Sequence, residues 1–127
     1  MNFARHGHAC MADDETGTIH VLGGSRNPLG AIKSGVIPLT TEILKLNENE
    51  WKIGSNLPRR SVYSAAVASR YPEYIGYLAG GHEADDGRQS TIFGLERGSL
   101  KWVELSINLT TKRARHTLVN VDKIPGC

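Results

Sequence analysis

One pattern recurs along this chain and restricts its fold more than any single residue does: a short alternating run closed by two glycines. Thr18-Ile19-His20-Val21-Leu22 ends in Gly23-Gly24, and Ile75-Gly76-Tyr77-Leu78-Ala79 ends in Gly80-Gly81, 57 residues further on. After each pair comes a loop, then a strand-like segment, then a tryptophan. Thr40-Thr41-Glu42-Ile43-Leu44 leads to Trp51, and Ser90-Thr91-Ile92-Phe93-Gly94-Leu95 leads to Trp102. Counting back from each tryptophan aligns Glu42 with Phe93 and Leu44 with Leu95 without a gap. A third marker is an arginine followed three places later by a ring and then a small, apolar stretch: Arg5 to His8, Arg60 to Tyr63, and Arg113 to His116. Markers that return in one order at a period near 50 indicate duplication of a single supersecondary unit.

Each unit reads as four short strands. In the first they fall at residues 8–12, 18–22, 41–46 and 51–53, separated by Asp13-Asp14-Glu15-Thr16-Gly17, Gly23-Gly24 and Asn47-Glu48-Asn49-Glu50, all turn compositions. Gly17 supplies the positive φ that a tight first hairpin needs. In the second unit Arg70-Tyr71-Pro72-Glu73 makes the corresponding connection, and Glu96-Arg97-Gly98-Ser99 makes the last hairpin. The 14 glycines among 127 residues are in excess of the average share of about 7% and agree with many tight turns. No segment carries a sustained apolar stripe at helical spacing, and no apolar run approaches the roughly 18 to 20 residues of a transmembrane helix.

With these residues in hand, the chain resembles the kelch repeat family. That family's pattern is an Arg before a ring residue, a strand ending in a double glycine, a Glu-containing strand and a Trp shortly after. Here these are Arg5 and His8, Gly23-Gly24, Thr41-Glu42 and Trp51, followed by Leu57-Pro58-Arg59-Arg60 into the next unit. The second unit departs in having Phe93 where Glu is expected, and both units have Leu44 or Leu95 where the family usually has Tyr. The resemblance implies an all-β fold, a partial kelch-type β-propeller of two four-stranded antiparallel blades plus the start of a third. Repeat one spans about 5–57, repeat two about 60–108, and the third begins at about 113–127. Ile19, Val21, Ile43, Leu46, Val67 and Leu78 would pack against adjacent blades, with Trp51 and Trp102 as wedges between them. Gly23, Gly24, Gly80 and Gly81 would mark sharp turns at close backbone approach. Since propellers have about four to eight blades, two units need further blades or self-association to cover their sheet faces.

Chemistry is sparse. The double glycines are followed by neither Gly-Lys-Ser/Thr nor a GxGxxG helix start, so they read as structural turns and not as a phosphate cradle. His82-Glu83 with Asp85-Asp86 lacks the spacing of a zinc or calcium motif and reads as solvated loop charge. His6, His8 and Cys10 would share one face of a strand, a pattern read as a buried Cys beside hydrogen-bonded histidines. No Ser/His/Asp set is arranged for nucleophilic catalysis, so no catalytic residue, metal or cofactor is assigned. The balance of 15 basic and 13 acidic residues is interspersed, and Lys112, Arg113 and Arg115 have no interleaved aromatics, which disfavours nucleic acid as a partner. Two cysteines make no disulfide framework. Met1-Asn2-Phe3-Ala4-Arg5 does not read as a secretory signal, so a cytoplasmic setting is expected and the sequon Asn108-Leu109-Thr110 is expected to be silent.

The loops carry more information. Ser25 to Leu39 follows the first glycine pair, and the shorter His82 to Ser90 follows the second. Rigid scaffolds commonly bind through such loops. In kelch proteins this face, with the Arg turns between repeats, commonly binds partner peptides. By position Arg26 and Arg88 in the loops, and Arg60 and Arg113 at the turns, are the candidates, since guanidinium groups match acidic motifs in forked geometry. The expected function is therefore a non-catalytic protein-interaction module, of the substrate-recognition or actin-binding type that the family contains. The rival is an enzyme on the same propeller, resembling the copper-radical galactose oxidases, for which these residues offer no Tyr/His/Cys ligand constellation.

Overall fold

The computed structural model of the protein describes residues 1–26, 39–83 and 86–120. Among these residues there is no helix, and the chain forms two antiparallel sheets. The first is built in chain order from β1 (Ala9–Asp13), β2 (Thr18–Leu22), β3 (Glu42–Lys45) and β4 (Glu50–Ile53). The second contains β5 (Ala65–Ala68), β6 (Tyr74–Ala79), β7 (His82–Glu83), β8 (Gly87–Glu96) and β9 (Trp102–Arg113), with β8 between β6 and β9 and the two-residue β7 paired to the start of β8. The turns follow from composition. Gly17 sits at φ 63 in the β1–β2 hairpin and Asn49 at φ 50 before β4, the left-handed region that Gly and Asn tolerate best.

Strand positions expected from the sequence agree with these ranges to within a residue or two, and the pairing confirms the alignment of the later markers. Leu44 faces Trp51 and Leu95 faces Trp102, while Val21 faces Glu42 and Leu78 faces Phe93. Two expectations are corrected. Of the residues expected as the second loop, 82–83 and 87–90 instead form β7 and the first part of β8, because their backbone groups pair: Gln89 N–H donates to Gly81 O at 2.9 Å, and His82 faces Arg88. The first loop lies almost wholly in 27–38, outside the described residues.

The second correction concerns the arginine marker. Tyr63 N–H donates to Gly7 O (2.7 Å), and Arg115 N–H donates to Tyr63 O (2.8 Å). These three residues share a left-handed backbone, at φ 64 for Gly7, 57 for Tyr63 and 59 for Arg115. Likewise Gly24 N–H donates to Ser61 O and Gly81 N–H to Arg113 O, both at 2.9 Å. This ladder makes Gly7, Tyr63 and Arg115 equivalent, and with them Arg5, Ser61 and Arg113. Arg60 and Tyr63 therefore stand one residue out of register with Arg5 and His8. Backbone hydrogen bonds, not the side chain three places after an arginine, set the frame. The double glycines do meet the predicted close approach. Gly23, Gly24, Gly80 and Gly81 have φ of 64, 86, 60 and 101. A Cβ on Gly24 would lie 2.9 Å from His6 O, and one on Gly80 2.6 Å from Arg113 O.

The core lies between the sheets. Ala9, Met11 and Leu22 of the first sheet meet Ile75, Leu78, Phe93, Leu95 and Trp102 of the second, with Leu57 and the partly buried Ala66. Residues paired across strands share a face, so one side of each sheet is engaged. A Cβ on Gly76 would collide with Met11 Sδ, which is how the sheets come together there. Leu78 packs against the other sheet as expected, Val21 is buried on the side of its sheet away from that contact, and Ile19, Ile43 and Val67 are half-buried. Leu46, expected to pack, is 60% exposed because it falls in the turn after β3. Trp102 is buried in the core as a wedge, while Trp51 is half-buried on the other side of its sheet. The sheets are also joined by Arg97, whose two terminal nitrogens fork onto Asp13 at 3.0 and 3.2 Å and whose Nη1 lies 3.1 Å from Glu15.

Candidate binding site

The left-handed ladder gathers the segments that precede β1 and β5 and those that follow the glycine pairs. His6 pairs with Ser25 and Val62 with His82 as isolated bridges in equivalent positions. Beside each bridge is a hollow. The first, about 340 Å³, is lined by Ala4, Arg5, His6, Ser25 and Arg26. The second, about 320 Å³, is lined by Tyr63, His82, Arg88, Ala114 and Arg115. His6 and Tyr63 link them, with ring centroids 6.4 Å apart.

The candidate arginines separate into distinct roles. Arg26 is exposed and lies 3.9 Å above the Phe3 ring, and Arg88 is exposed on the wall of the second hollow. Arg60 and Arg113 are exposed but line neither hollow, and Arg113 Nε donates to Thr111 O at 3.3 Å. The guanidinium that reaches the second hollow is Arg115, 4.5 Å above the Tyr63 ring. Its left-handed backbone turns it two residues beyond the expected position. Sequence reasoning saw the Lys112-Arg113-Arg115 cluster but placed the function on Arg113. Tyr63 and His82 were also missed, and the signal for them was the repeat itself, once set in its hydrogen-bonded register.

Arg5 has a different task. Its Nη2 donates to Glu42 Oε2 at 2.7 Å with both side chains fully buried, and its Nη1 donates to Gly23 O at 2.8 Å and Thr40 O at 3.1 Å. These bonds tie the segment before β1 to the glycine turn and to β3. In the second sheet Arg59 approaches the same region from outside. Its Nη1 donates to Gln89 Oε1 at 3.2 Å and Thr91 Oγ1 at 3.1 Å, and its guanidinium lies 5.1 Å from the Phe93 ring centre. Burial pulls the Arg59 pKa below the usual arginine value, opposed by Glu83, Glu104 and Asp86. Beside Arg113, the His116 imidazole is also held below its ordinary value, first by burial and then by the arginine charge.

The expected one-face set of His6, His8 and Cys10 does not form. Gly7 at φ 64 breaks the alternation, β1 begins only at Ala9, and His8 and Cys10 are exposed, which corrects the buried Cys reading. Of the His82, Glu83, Asp85 and Asp86 group, Asp85 lies outside the described residues, as does Cys127. Among the described residues no group of three His, Cys, Asp or Glu side chains is arranged to hold a metal ion, and no helix is long and apolar enough to cross a membrane. Asn108 of the sequon is exposed on β9.

Fold and site together describe an all-β protein of two stacked antiparallel sheets with arginine-lined hollows at one end. No protein-family model matches the chain, and no curated protein matches it at a significant level.

Proposed function

We propose that the chain is part of a kelch-type propeller in which each sheet is a blade, and that it acts as a non-catalytic protein-interaction module taking an acidic segment of a partner protein at its arginine-lined end. Support for the blades comes from the antiparallel order β1-β2-β3-β4 of the first sheet matched by β5-β6-β8-β9 in the five-stranded second one, from the double-glycine turns and from the equivalent tryptophans. The observation that carries the binding reading is the second hollow. Arg88 and Arg115 stand on its walls with no ion pair among the described residues, and Tyr63 and His82 offer a ring face and an imidazole beside them. Two guanidinium groups across one concavity suit carboxylates, which they contact as forks.

The test is fluorescence anisotropy with a labelled peptide rich in Asp and Glu, against a Lys-rich peptide of equal length. A charged hydrogen bond contributes roughly 1.5 to 3 kcal/mol, so Arg88→Ala and Arg115→Ala are each expected to weaken binding by about ten-fold or more. Arg113→Ala, outside the hollow, should change it little. Equal affinity for both peptides, or indifference to Arg88 and Arg115, would sink the reading.

A further inference from the structure

The contact between the two sheets is made from two different faces, and the repeat places a second copy of each on the outer sides of the sheets, where it is only partly covered. The first sheet contributes the side bearing Ala9, Met11, His20 and Leu22, and the second contributes Ala66, Leu78, Phe93, Leu95 and Trp102. Moved forward by one unit, the first set becomes Ala65, Val67, Tyr77 and Ala79. Moved back, the second becomes Cys10, Val21, Glu42, Leu44 and Trp51. Both shifted sets lie on the sheet sides away from the shared core, where Val21, Glu42, Ala65 and Ala79 are already covered within the chain while Val67, Tyr77, Leu44 and Trp51 are half-buried and Cys10 is exposed. Val67, Tyr77 and Ala79 line an almost wholly apolar groove of about 320 Å³ that extends to Ile107, which is 62% exposed. On the far side of the first sheet Cys10 is exposed, Leu44 and Trp51 are half-buried and Ile53 is 53% exposed.

Each open face thus repeats a face that already has its mate inside the molecule, and the mate of each is present at the other end of the same chain. From this continuity with the internal contact we infer that two copies dock head to tail, the outer side of the first sheet of one copy seating in the Val67–Tyr77–Ile107 groove of the other. The contact is heterologous, so it leaves one free face at each end and propagates, into a ring where the rotation between copies closes and into a filament where it does not. The fully neutralised Arg5–Glu42 pair takes the place of Phe93 in this contact. One element must give way. Leu118, equivalent to Ala66, leans into the groove, and residues 116–120 form no strand. They hold the seat that β1 of the incoming copy takes. This inference goes beyond the acidic-segment reading and stands without it, since neither face includes Arg88 or Arg115.

Sedimentation velocity of the full chain over a dilution series tests it, with Ile107→Asp blocking the groove and Ile53→Asp blocking the opposite face. The parent chain is expected to associate with rising concentration, each variant alone to remain monomeric, and an equimolar mixture of the two to form a one-to-one dimer. A parent that stays monomeric throughout overturns the inference. So does either variant that self-associates as strongly as the parent, which would mean that like faces pair. Both substituted positions are more than half exposed. If a variant fails to fold, alkylation of Cys10 in the parent, resolved from Cys127 by mass spectrometry, decides instead. Its rate should fall in proportion to the fraction of Cys10 faces still open, about two-fold when nearly all of the chain is in head-to-tail dimers and further in longer assemblies, and a rate independent of concentration counts against docking.

Discussion

Where the first sheet holds Arg5 against Glu42, the second holds Ser61 near Gly80 and Phe93 in the core. The positions are equivalent, as are the strands around them: Glu42 faces Val21 as Phe93 faces Leu78. In the first unit the site is closed by charge, through a guanidinium that donates to a carboxylate and two backbone carbonyls with no solvent access. In the second, the Ser61 hydroxyl reaches Gly80 O only at 3.5 Å and the space is filled by an aromatic ring, with Arg59 lying over it from the side. A buried pair has a desolvation cost that its attraction only offsets when the remaining hydrogen bonds are made. The comparison therefore teaches that one backbone frame accepts an ionic or an apolar filling, the ionic one holding both terminal nitrogens of Arg5 while leaving its Nε buried without a hydrogen bond among the described residues.

The largest effect should come from leaving the ionic filling incomplete. Glu42→Gln leaves Arg5 buried without its counter-charge, and a loss of about 3 to 5 kcal/mol is expected in urea denaturation. Copying the apolar solution, with Arg5→Met and Glu42→Phe together, should recover most of that loss. A double variant as unstable as the single one would show that the two units are not interchangeable here.

The two tryptophans sharpen the same contrast. Trp102→Ala opens the shared core and should cost about 3 to 5 kcal/mol. Trp51→Ala, on the open side of its sheet, should cost about half as much or less, in line with the smaller apolar area it removes from water. Equal losses would mean that the outer side of the first sheet is already covered in solution.

A smaller effect tests the link between the sheets. Burial raises the Asp13 carboxyl, but the Arg97 and Thr16 hydrogen bonds and the Arg97 charge outweigh it and hold the pKa below its ordinary value of 3.8. The folded state thus gives up this carboxylate less readily than the unfolded chain does. Its contribution is complete above pH 3.8 and is lost as pH falls from there through the lower folded pKa. Asp13→Asn should cost about 1.5 to 3 kcal/mol at pH 7 and flatten the acid limb of a stability-against-pH curve. If the curve keeps its slope below pH 4, other carboxylates govern acid unfolding.

Much of this architecture is legible in the sequence because it is local. Alternation in residues 18–22, the turn residues around Gly17, and the gapless spacing from Leu44 to Trp51 and from Leu95 to Trp102 depend only on neighbours along the chain. The site was less legible. Arg26 and Arg88, expected from their places after the glycine pairs, do line the hollows, whereas Arg113 lines neither and Arg115 lines the second. The reason is that a side chain's direction at φ 59 is not deducible from its spacing to a ring residue. Cys10 was misread for a related reason. A small residue on an amphipathic strand is buried only if something covers its side, and the second sheet covers the other one.

By itself, then, the sequence determined the all-β class, most of the strands and the turns between them, since these follow from periodicity and from residues that tolerate positive φ. Only the tertiary structure decided the true register of the repeats, which of two equivalent tryptophans is buried, and which arginines meet across a hollow. Those outcomes depend on backbone hydrogen bonds between distant segments and on which face of each sheet finds a neighbour.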